Sequence, residues 1–478
     1  VQGIQLLDVD PGESTNRTVV TFIGEPKPVA KAAFRAVQKA AELIDMSKHH
    51  GEHSRFGATD VCPFVPVSGV TMEDCVKIAR QVGKRIGEEL QIPVYLYEHA
   101  ASVPERRNLA KVRAGEYEGL EKKLAIPAWK PDFGPAVFNP GAGATAVGAR
   151  EFLIAYNINL NTTDRRYANE IAYEIRERGR WKRVGNIEPF YYKGDVVYFE
   201  EGKYPDGNSD FVAGTFEELA GHYKEQYGKD LYARYRSIGL DPDNLVGRPV
   251  YKDGMFTHLK GIGWVVDDYQ CAQISMNLTN YKITQPADVL EAVRKLAVER
   301  GIVITGSEVV GVVPWDAMRQ AGEFYLRRMQ KSTGIPARDI AVTAVQAMGL
   351  SDVAEFDIDK KVIGMPIADG PLVSMKVSDF VDEVSRDTPA PGGGSIAALS
   401  GALGSALASM VANLSVGKGE FDGQYDALCE LAEKAQDVKD DLLRAIDADT
   451  EAFNEVIAGM RMAKDTAEQQ EALSLIHI

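Results

Sequence analysis

Residues Ile44–Val67 read IDMSKHHGEHSRFGATDVCPFVPV. The stretch opens on the end of an amphipathic helix, breaks into a loop at Gly51 and closes in a hydrophobic strand. Upstream, Pro28–Met46 sets Val29, Ala33, Val37, Ala40 and Ile44 on one face and Lys31, Arg35, Lys39 and Glu42 outside, a helical period. Downstream, Val61–Val67 reads as a strand. Helix, short loop and strand in succession are the unit of an α/β layered domain. The loop also holds His49, His50 and His53, three of the seven histidines in the chain. Imidazole exchanges protons near neutral pH, and rigid scaffolds present their chemistry on such loops.

The same alternation runs outward. Gly3–Val9 and Thr18–Ile23 read as strands around a PGESTNR turn. Thr71–Leu90 reads as a helix with Thr71 as N-cap and Glu73 and Asp74 in its first turn, and Ile92–Tyr97 as the next strand. Residues 1–150 thus form one α/β subdomain. Two strands running out at Asn, Phe152–Leu160 (FLIAYNINL, then Asn161) and Cys271–Asn280 (CAQISMNLTN), precede helices over Asp164–Arg178 and Pro286–Arg300. They predict a second α/β (α+β) subdomain over 151–363 with ferredoxin-like split βαβ layers. The aromatic and Gly-rich stretch of about 181–260 reads as an insertion and not a third core. Further strands are expected at Gly261–Val266 and Val309–Val313, and a helix at Ala337–Met348. Residues 364–375 have the Pro and Gly content of a linker. From 376 to 478 only helices are expected, over Val377–Ser385, Ser395–Leu414, Gln424–Phe453 and Glu455–Glu471, part of an all-α domain.

Bulk properties narrow the function. A formal charge of −15 argues against nucleic acid as partner. The four cysteines form no CxxC pair, which fits a reducing, cytoplasmic setting. Ser395–Val416 runs 22 residues without a charge, but its Ala, Gly and Ser content makes its transfer to lipid weakly favourable. It reads as a buried bundle helix, with Ala398, Ala402, Ala406 and Met410 as a thin row suited to helix contact and homo-oligomer assembly. The chain starts inside a strand and stops without a helix cap, and so reads as a fragment.

Four stretches, DVDPGESTNRTVVTFIG, the His loop, IPVYLYEHA and KPDFGPAVFNPGAGATAVGAREFLIAYNINL, resemble glutamate formimidoyltransferase over roughly residues 1–365. VSDFVDEVSRDTPAPGGGSIAALSGALGSALASMVANLS resembles the start of formimidoyltetrahydrofolate cyclodeaminase. The resemblance implies a bifunctional folate enzyme of histidine degradation, truncated at both ends. One half moves a formimino group from N-formimidoyl-L-glutamate to tetrahydrofolate, a co-substrate that can be polyglutamylated. The other closes the product to 5,10-methenyltetrahydrofolate and releases ammonia. Two alternatives stay open: a folate-binding fragment without useful catalysis, and a transferase of the same fold that uses formylglutamate.

Formimino transfer is an amidine exchange, in which the leaving glutamate nitrogen must gain a proton, and one imidazole suffices. The resemblance places the catalytic histidine at His53. The spacing His49-His50-x-x-His53 also suits a metal, but Gly51 breaks the helix, only Asp60 or Cys62 is near as a further ligand, and transfer to an amine needs no Lewis acid. No metal is therefore expected. Asp10, beside Pro11-Gly12 and on the face opposite Asp8, is expected to orient His53 or hold the cationic amidine. Arg17 and Arg55 suit a substrate carboxylate, and His49 a binding role. By resemblance the folate segment is Gly134, Pro135, Ala136, Val137, Phe138, Asn139, Pro140, Gly141, Ala142 and Gly143, where backbone groups can read the pterin edge and Phe138 can stack on it. Lys122, Lys123, Lys130 and Arg150 are candidates for a polyglutamate track. In the helical part, PAPGGGS at Pro389–Ser395 can cradle an anion at a helix N-terminus. Of Asp447 and Asp449, the resemblance gives Asp449 the acid–base role.

Overall fold

The computed structural model describes residues 1–12, 16–50, 55–188, 190–267 and 269–461. They cluster into two compact units, residues 1–317 with 348–363 and residues 318–347 with 364 onward.

The first unit opens with a hairpin, β1 (Ile4–Gly12) and β2 (Arg17–Gly24). Two expectations fail there. Pro11 and Gly12 are part of the ladder, opposite Thr18 and Arg17, so Asp10 lies within the strand and not at its end. Asp8 and Asp10 also share a face, because side chains alternate with period two; both are half-buried while Val9 between them is exposed. A two-stranded ribbon leaves its outer edges unpaired, which is where Pro11 is tolerated.

Helix α1 (Pro26–Leu43) starts on a proline, whose fixed φ suits a first turn, and buries Ala33, Phe34 and Val37. Strand β3 (Val61–Phe64) is followed by α2 (Met72–Glu89). Thr71 caps α2 in a reciprocal box with Asp74, the expected start. Strands β4 (Val94–Glu98) and β5 (Thr145–Ala149) complete a parallel sheet of order β3-β5-β4. Helices α1 and α2 cover one face, with Ala79, Val82 and Ile86 packed among Val94, Leu96 and Val147. The other face turns Tyr95 and Tyr97 into a second cluster with Phe56, Val112, Leu120 and Ala146.

Strand β6 (Ile154–Leu160) and helix α3 (Arg165–Ile175) follow. The insertion comes next, and it has a core of its own, contrary to expectation. Helices α4 (Phe216–Tyr227) and α5 (Leu231–Ser237) bury Leu219, Tyr223, Leu231 and Tyr235 against Phe199 and Val250. Tyrosines supply the apolar area and their hydroxyls find partners at the rim: Tyr227 donates to Asp206 at 2.7 Å and Tyr223 donates to Asp253. Strands β7 (Leu259–Val266) and β8 (Cys271–Leu278), helix α6 (Pro286–Glu299) and strand β9 (Ile304–Val310) close the unit. The four strands form an antiparallel sheet of order β7-β8-β6-β9.

A buried ion cluster joins the insertion to this sheet. Arg180 Nη1 lies 2.9 Å from carboxylate oxygens of both Glu170 and Glu174 on α3, and the guanidinium stacks 3.9 Å from the Tyr191 ring centroid.

The second unit is helical. Helix α7 (Trp315–Arg328), which the periodicity did not suggest, and α8 (Ala337–Met348) contribute most of their lengths to it, followed by α9 (Val377–Val384), α10 (Gly393–Ser415) and α11 (Tyr425–Met460). Helix α10 is long and apolar enough to cross a membrane, yet only 28% of its most apolar window is buried. Its contact seam runs Ser395, Ala398, Ala402, Ser409 and Ala412, and Met410 is 48% exposed. The expected i,i+4 row fails because a helix turns 3.6 residues, so a strict four-residue row drifts off the seam. The seam is polar at one end: Ser409 Oγ and Asn413 Nδ2 both donate to the Gly334 carbonyl at 2.9 Å, and Gln436 on α11 donates to Ser409 Oγ at 2.8 Å.

Arg180→Ala removes the cation shared by Glu170 and Glu174, leaving Arg300 at 3.7 Å from the first and Lys252 at 3.3 Å from the second. It is expected to cost the first unit about 3 kcal/mol or more, read as a shift of the urea unfolding midpoint.

Candidate active site

At the edge of the parallel sheet, Asp60 precedes β3 and is held from two sides. Arg17 on β2 donates to Oδ2 at 2.9 Å, and Arg113 donates through Nε to Oδ1 at 3.1 Å and through its other nitrogen to Oδ2. All three side chains are largely buried. Burial pulls the Arg17 guanidinium below its usual value, and Asp60 opposes that shift. Arg17, expected on a substrate carboxylate, is thus engaged by Asp60.

The segment after Arg113 leads to the proposed folate loop. Tyr117 donates its backbone N–H to the Arg55 carbonyl at 2.9 Å and its hydroxyl to the Pro140 carbonyl at 2.6 Å. The Tyr117 ring lies 5.3 Å from that of Phe138 and 5.2 Å from the Arg55 guanidinium. Arg55 pairs with Glu118, while its Nη1 is buried with no hydrogen-bond partner among the described residues.

The loop itself is stitched down. The carbonyls of Asn139, Pro140, Gly141 and Ala142 accept from Gly143 N, the Tyr117 hydroxyl, Met46 N and Ala58 N. These four are spent, and the pterin edge can be read only by what remains. Gly143 has φ +66°, and a Cβ there would sit 2.5 Å from the Phe56 carbonyl oxygen, so only glycine lets the loop lie against residues 56–57. Phe138 is half-buried against the Phe56, Tyr95 and Leu120 cluster, and neighbouring Val137 is 66% exposed.

His49 is half-buried with Nδ1 3.3 Å from Asn16 Nδ2, and Asn16 also donates to the His50 carbonyl at 2.7 Å. These contacts tie the hairpin to the start of the His loop. His53 lies outside the described residues. Asp10 has no hydrogen-bond or ion-pair partner among the described residues.

A cleft of about 600 Å³ opens in the first unit. Its walls include Tyr97, His99, Arg113 and Arg150 from the parallel-sheet side and His258, Lys260 and Asn277 from the antiparallel one. Arg113, His99, His258 and Asn277 escaped the sequence reading, because no local spacing links residues more than 100 positions apart. Arg150, one of the candidate track residues, is at the cleft. Lys123 is not: it is 6% exposed and donates to the carbonyls of Lys111, Val112 and Ala114, 4.1 Å from the centroid of the Trp129 ring. Burial, then Arg106, pulls its pKa down to about 8.

In the helical unit the two aspartates separate. Asp447 is 8% exposed and accepts from Leu372 N at 2.7 Å and Val373 N at 3.0 Å, a fastening of the chain before α9. Asp449 accepts from Ser395 N at 2.9 Å, at the first turn of α10. A Cβ on Gly394 would lie 2.1 Å from Asp449 Oδ1, so the glycine run makes room for this carboxylate.

The cleft lies between two helix-backed sheets and mixes charge, with Arg113, Arg150 and Lys260 set against Glu98, Glu116 and Glu151, the kind of concavity that takes a small polar ligand. Residues 1–150 match the family model of the formiminotransferase domain, N-terminal subdomain; residues 218–368 match the formiminotransferase domain; and residues 376–475 match formiminotransferase-cyclodeaminase. The formimidoyltransferase-cyclodeaminase of Dictyostelium discoideum is 40% identical over 467 residues, 97% of this chain and 74% of that protein. That of Mus musculus is 37% identical over 473 residues, 98% of this chain and 74% of its own. The glutamate formimidoyltransferase of Streptococcus pyogenes serotype M1 is 36% identical over 327 residues, 68% of this chain and 85% of its own. The chain belongs to the formimidoyltransferase-cyclodeaminase family.

The Lys123 pKa lies below that of an unfolded lysine, so the unfolded chain binds more protons as pH rises past 8 and the fold gains stability. Relative to Lys123→Met, the wild type should therefore gain thermal stability between about pH 8 and 10. Melting curves of both proteins across that window check the sign.

Proposed function

We propose that this chain transfers the formimino group of N-formimidoyl-L-glutamate to N5 of tetrahydrofolate, releasing glutamate, and that its helical part belongs to the cyclodeaminase that forms 5,10-methenyltetrahydrofolate and ammonia. The observation that carries this is the match of three successive family segments along one chain. In the transfer, N5 attacks the amidine carbon, and the bond from that carbon to the glutamate nitrogen breaks once that nitrogen is protonated. His53 takes the N5 proton and returns one to the leaving nitrogen. The half-buried carboxylate of Asp10, without a partner among the described residues, supports its role beside the cationic amidine. Arg150 and Lys260, in a lining that also holds Glu98, Glu116 and Glu151, support binding of glutamate carboxylates. Residues 134–143 hold the pterin, and Asp449 is the acid–base group of the cyclodeaminase.

The order β7-β8-β6-β9, with α3 and α6 inserted as βαββαβ, supports ferredoxin-like layering of residues 151–317 around the insertion. Exposed Leu403, Leu407, Val411 and Leu414 on α10 support assembly into a homo-oligomer. Four free thiols support a cytoplasmic setting.

His53→Ala is expected to lower formimino transfer about 100-fold or more while the KM for tetrahydrofolate stays within about threefold. Near-normal turnover would remove His53 from the mechanism. Asp449→Asn should spare transfer and abolish any ammonia release, measured in the same reaction mixture.

A further inference from the structure

The helix-free face of the antiparallel sheet carries a polar array that the transfer steps above leave unused. One row across it reads Trp264, Gln273, Asn159, and the next Ser275, Asn157, Glu308. Gln273, Asn159 and Asn157 are buried, and Glu308 is half-buried. Two amides converge on one carboxylate oxygen: Asn157 Nδ2 donates to Glu308 Oε1 at 3.0 Å and Gln273 Nε2 at 2.9 Å. Gln273 is itself fixed by Asn159 and by the indole N–H of Trp264, each at 2.8 Å. Among the described residues the second oxygen, Oε2, has only the Tyr269 hydroxyl, at 3.4 Å.

Among the described residues every donor on Glu308 is therefore neutral, and no lysine, arginine or histidine lies within 4.0 Å of it. A carboxylate oriented this rigidly, with no counter-ion and one open oxygen, costs the fold stability unless a ligand brings the positive charge. The array runs into the cleft: Asn277 and Lys260 are paired neighbours on the same face and both line it. Gln273 and Asn277 are four residues apart on β8, about 13 Å of strand.

The chemistry of the two possible donors differs at one point. A formimino group is an amidine, cationic near neutral pH, with N–H groups directed outward. A formyl group is neutral and presents a carbonyl oxygen where the amidine has nitrogen. A carboxylate attracts the first and repels the second. Resting on the transferase reading above, we propose that Glu308 is the residue that selects the donor: its Oε2 accepts from the cationic formimino group, and its charge disfavours the formyl analogue.

The test is Glu308→Gln, which keeps the shape and removes the charge. The kcat/KM for N-formimidoyl-L-glutamate should fall about tenfold or more, while the inhibition constant of N-formyl-L-glutamate, the neutral isostere, stays level or tightens. Glu308→Asp keeps the charge and should keep the ratio of the two constants near that of the wild type. It carries the test alone if the Gln variant melts early, and a ratio that collapses in the Asp variant then overturns the proposal. Equal losses on both ligands in the Gln variant, or none on either, also overturn it. A wild type that transfers no formimino group refutes the transferase reading itself; a wild type that transfers, with an unchanged ratio in the Gln variant, refutes only the role of Glu308.

Discussion

The site hangs on the carboxylate of Asp60. It draws Arg17 from the hairpin and Arg113 from the strap that edges the cleft. One carboxylate between two guanidiniums leaves a net positive charge, a local excess of cations in a chain of formal charge −15. The strap then passes position along. Its Tyr117 reaches both the Arg55 carbonyl and the Pro140 carbonyl, so the proposed folate loop and the residue that follows the undescribed part of the His loop share one support. Without Asp60, two part-buried guanidiniums would face each other, and the hairpin and strap would have no common partner.

Lys123 is the counterpart of that clamp from below. Its ammonium gathers three carbonyls at the end of the short helix that carries Arg113. A lysine can fill this place because it makes three bonds from one point, and burial beside Arg106 is the reason its proton is held less tightly. The role of such a residue lies in the order it imposes on the strap, which is why a surface track was the wrong reading of it.

Periodicity found what is local. Helices α2, α8 and α10 and strand β8 lie within about three residues of where the pattern put them, because the helices each bury one continuous stripe and the strand is a short run buried on both faces. The core of the insertion was hidden for the opposite reason. Its strands are two residues long, too short for any alternation, and its apolar area comes from tyrosines spaced among charges. The site divides the same way. Glycines at 143 and 394 were visible as motifs, and the folded chain shows what each admits. The pairing of Asp60 with Arg113 and of Asn157 with Glu308 was not, since the partners stand 53 and 151 positions apart in the chain. Only the closure of the sheets brings such groups together.

Two pairs of aspartates make the same point about spacing. Asp8 and Asp10 are two residues apart, as are Asp447 and Asp449. On a strand, two residues restore the direction, so the first pair shares a face and faces one environment. On a helix, two residues turn the side chain by about 200°, so the second pair must part. Asp447 accordingly goes to the backbone of Leu372 and Val373, and Asp449 to that of Ser395 at the first turn of α10. The carboxylate tied to the chain before α9 is spent on holding the fold. The one beside the glycine run, where a side chain at 394 would collide, meets the backbone N–H groups left over by the first turn of the helix.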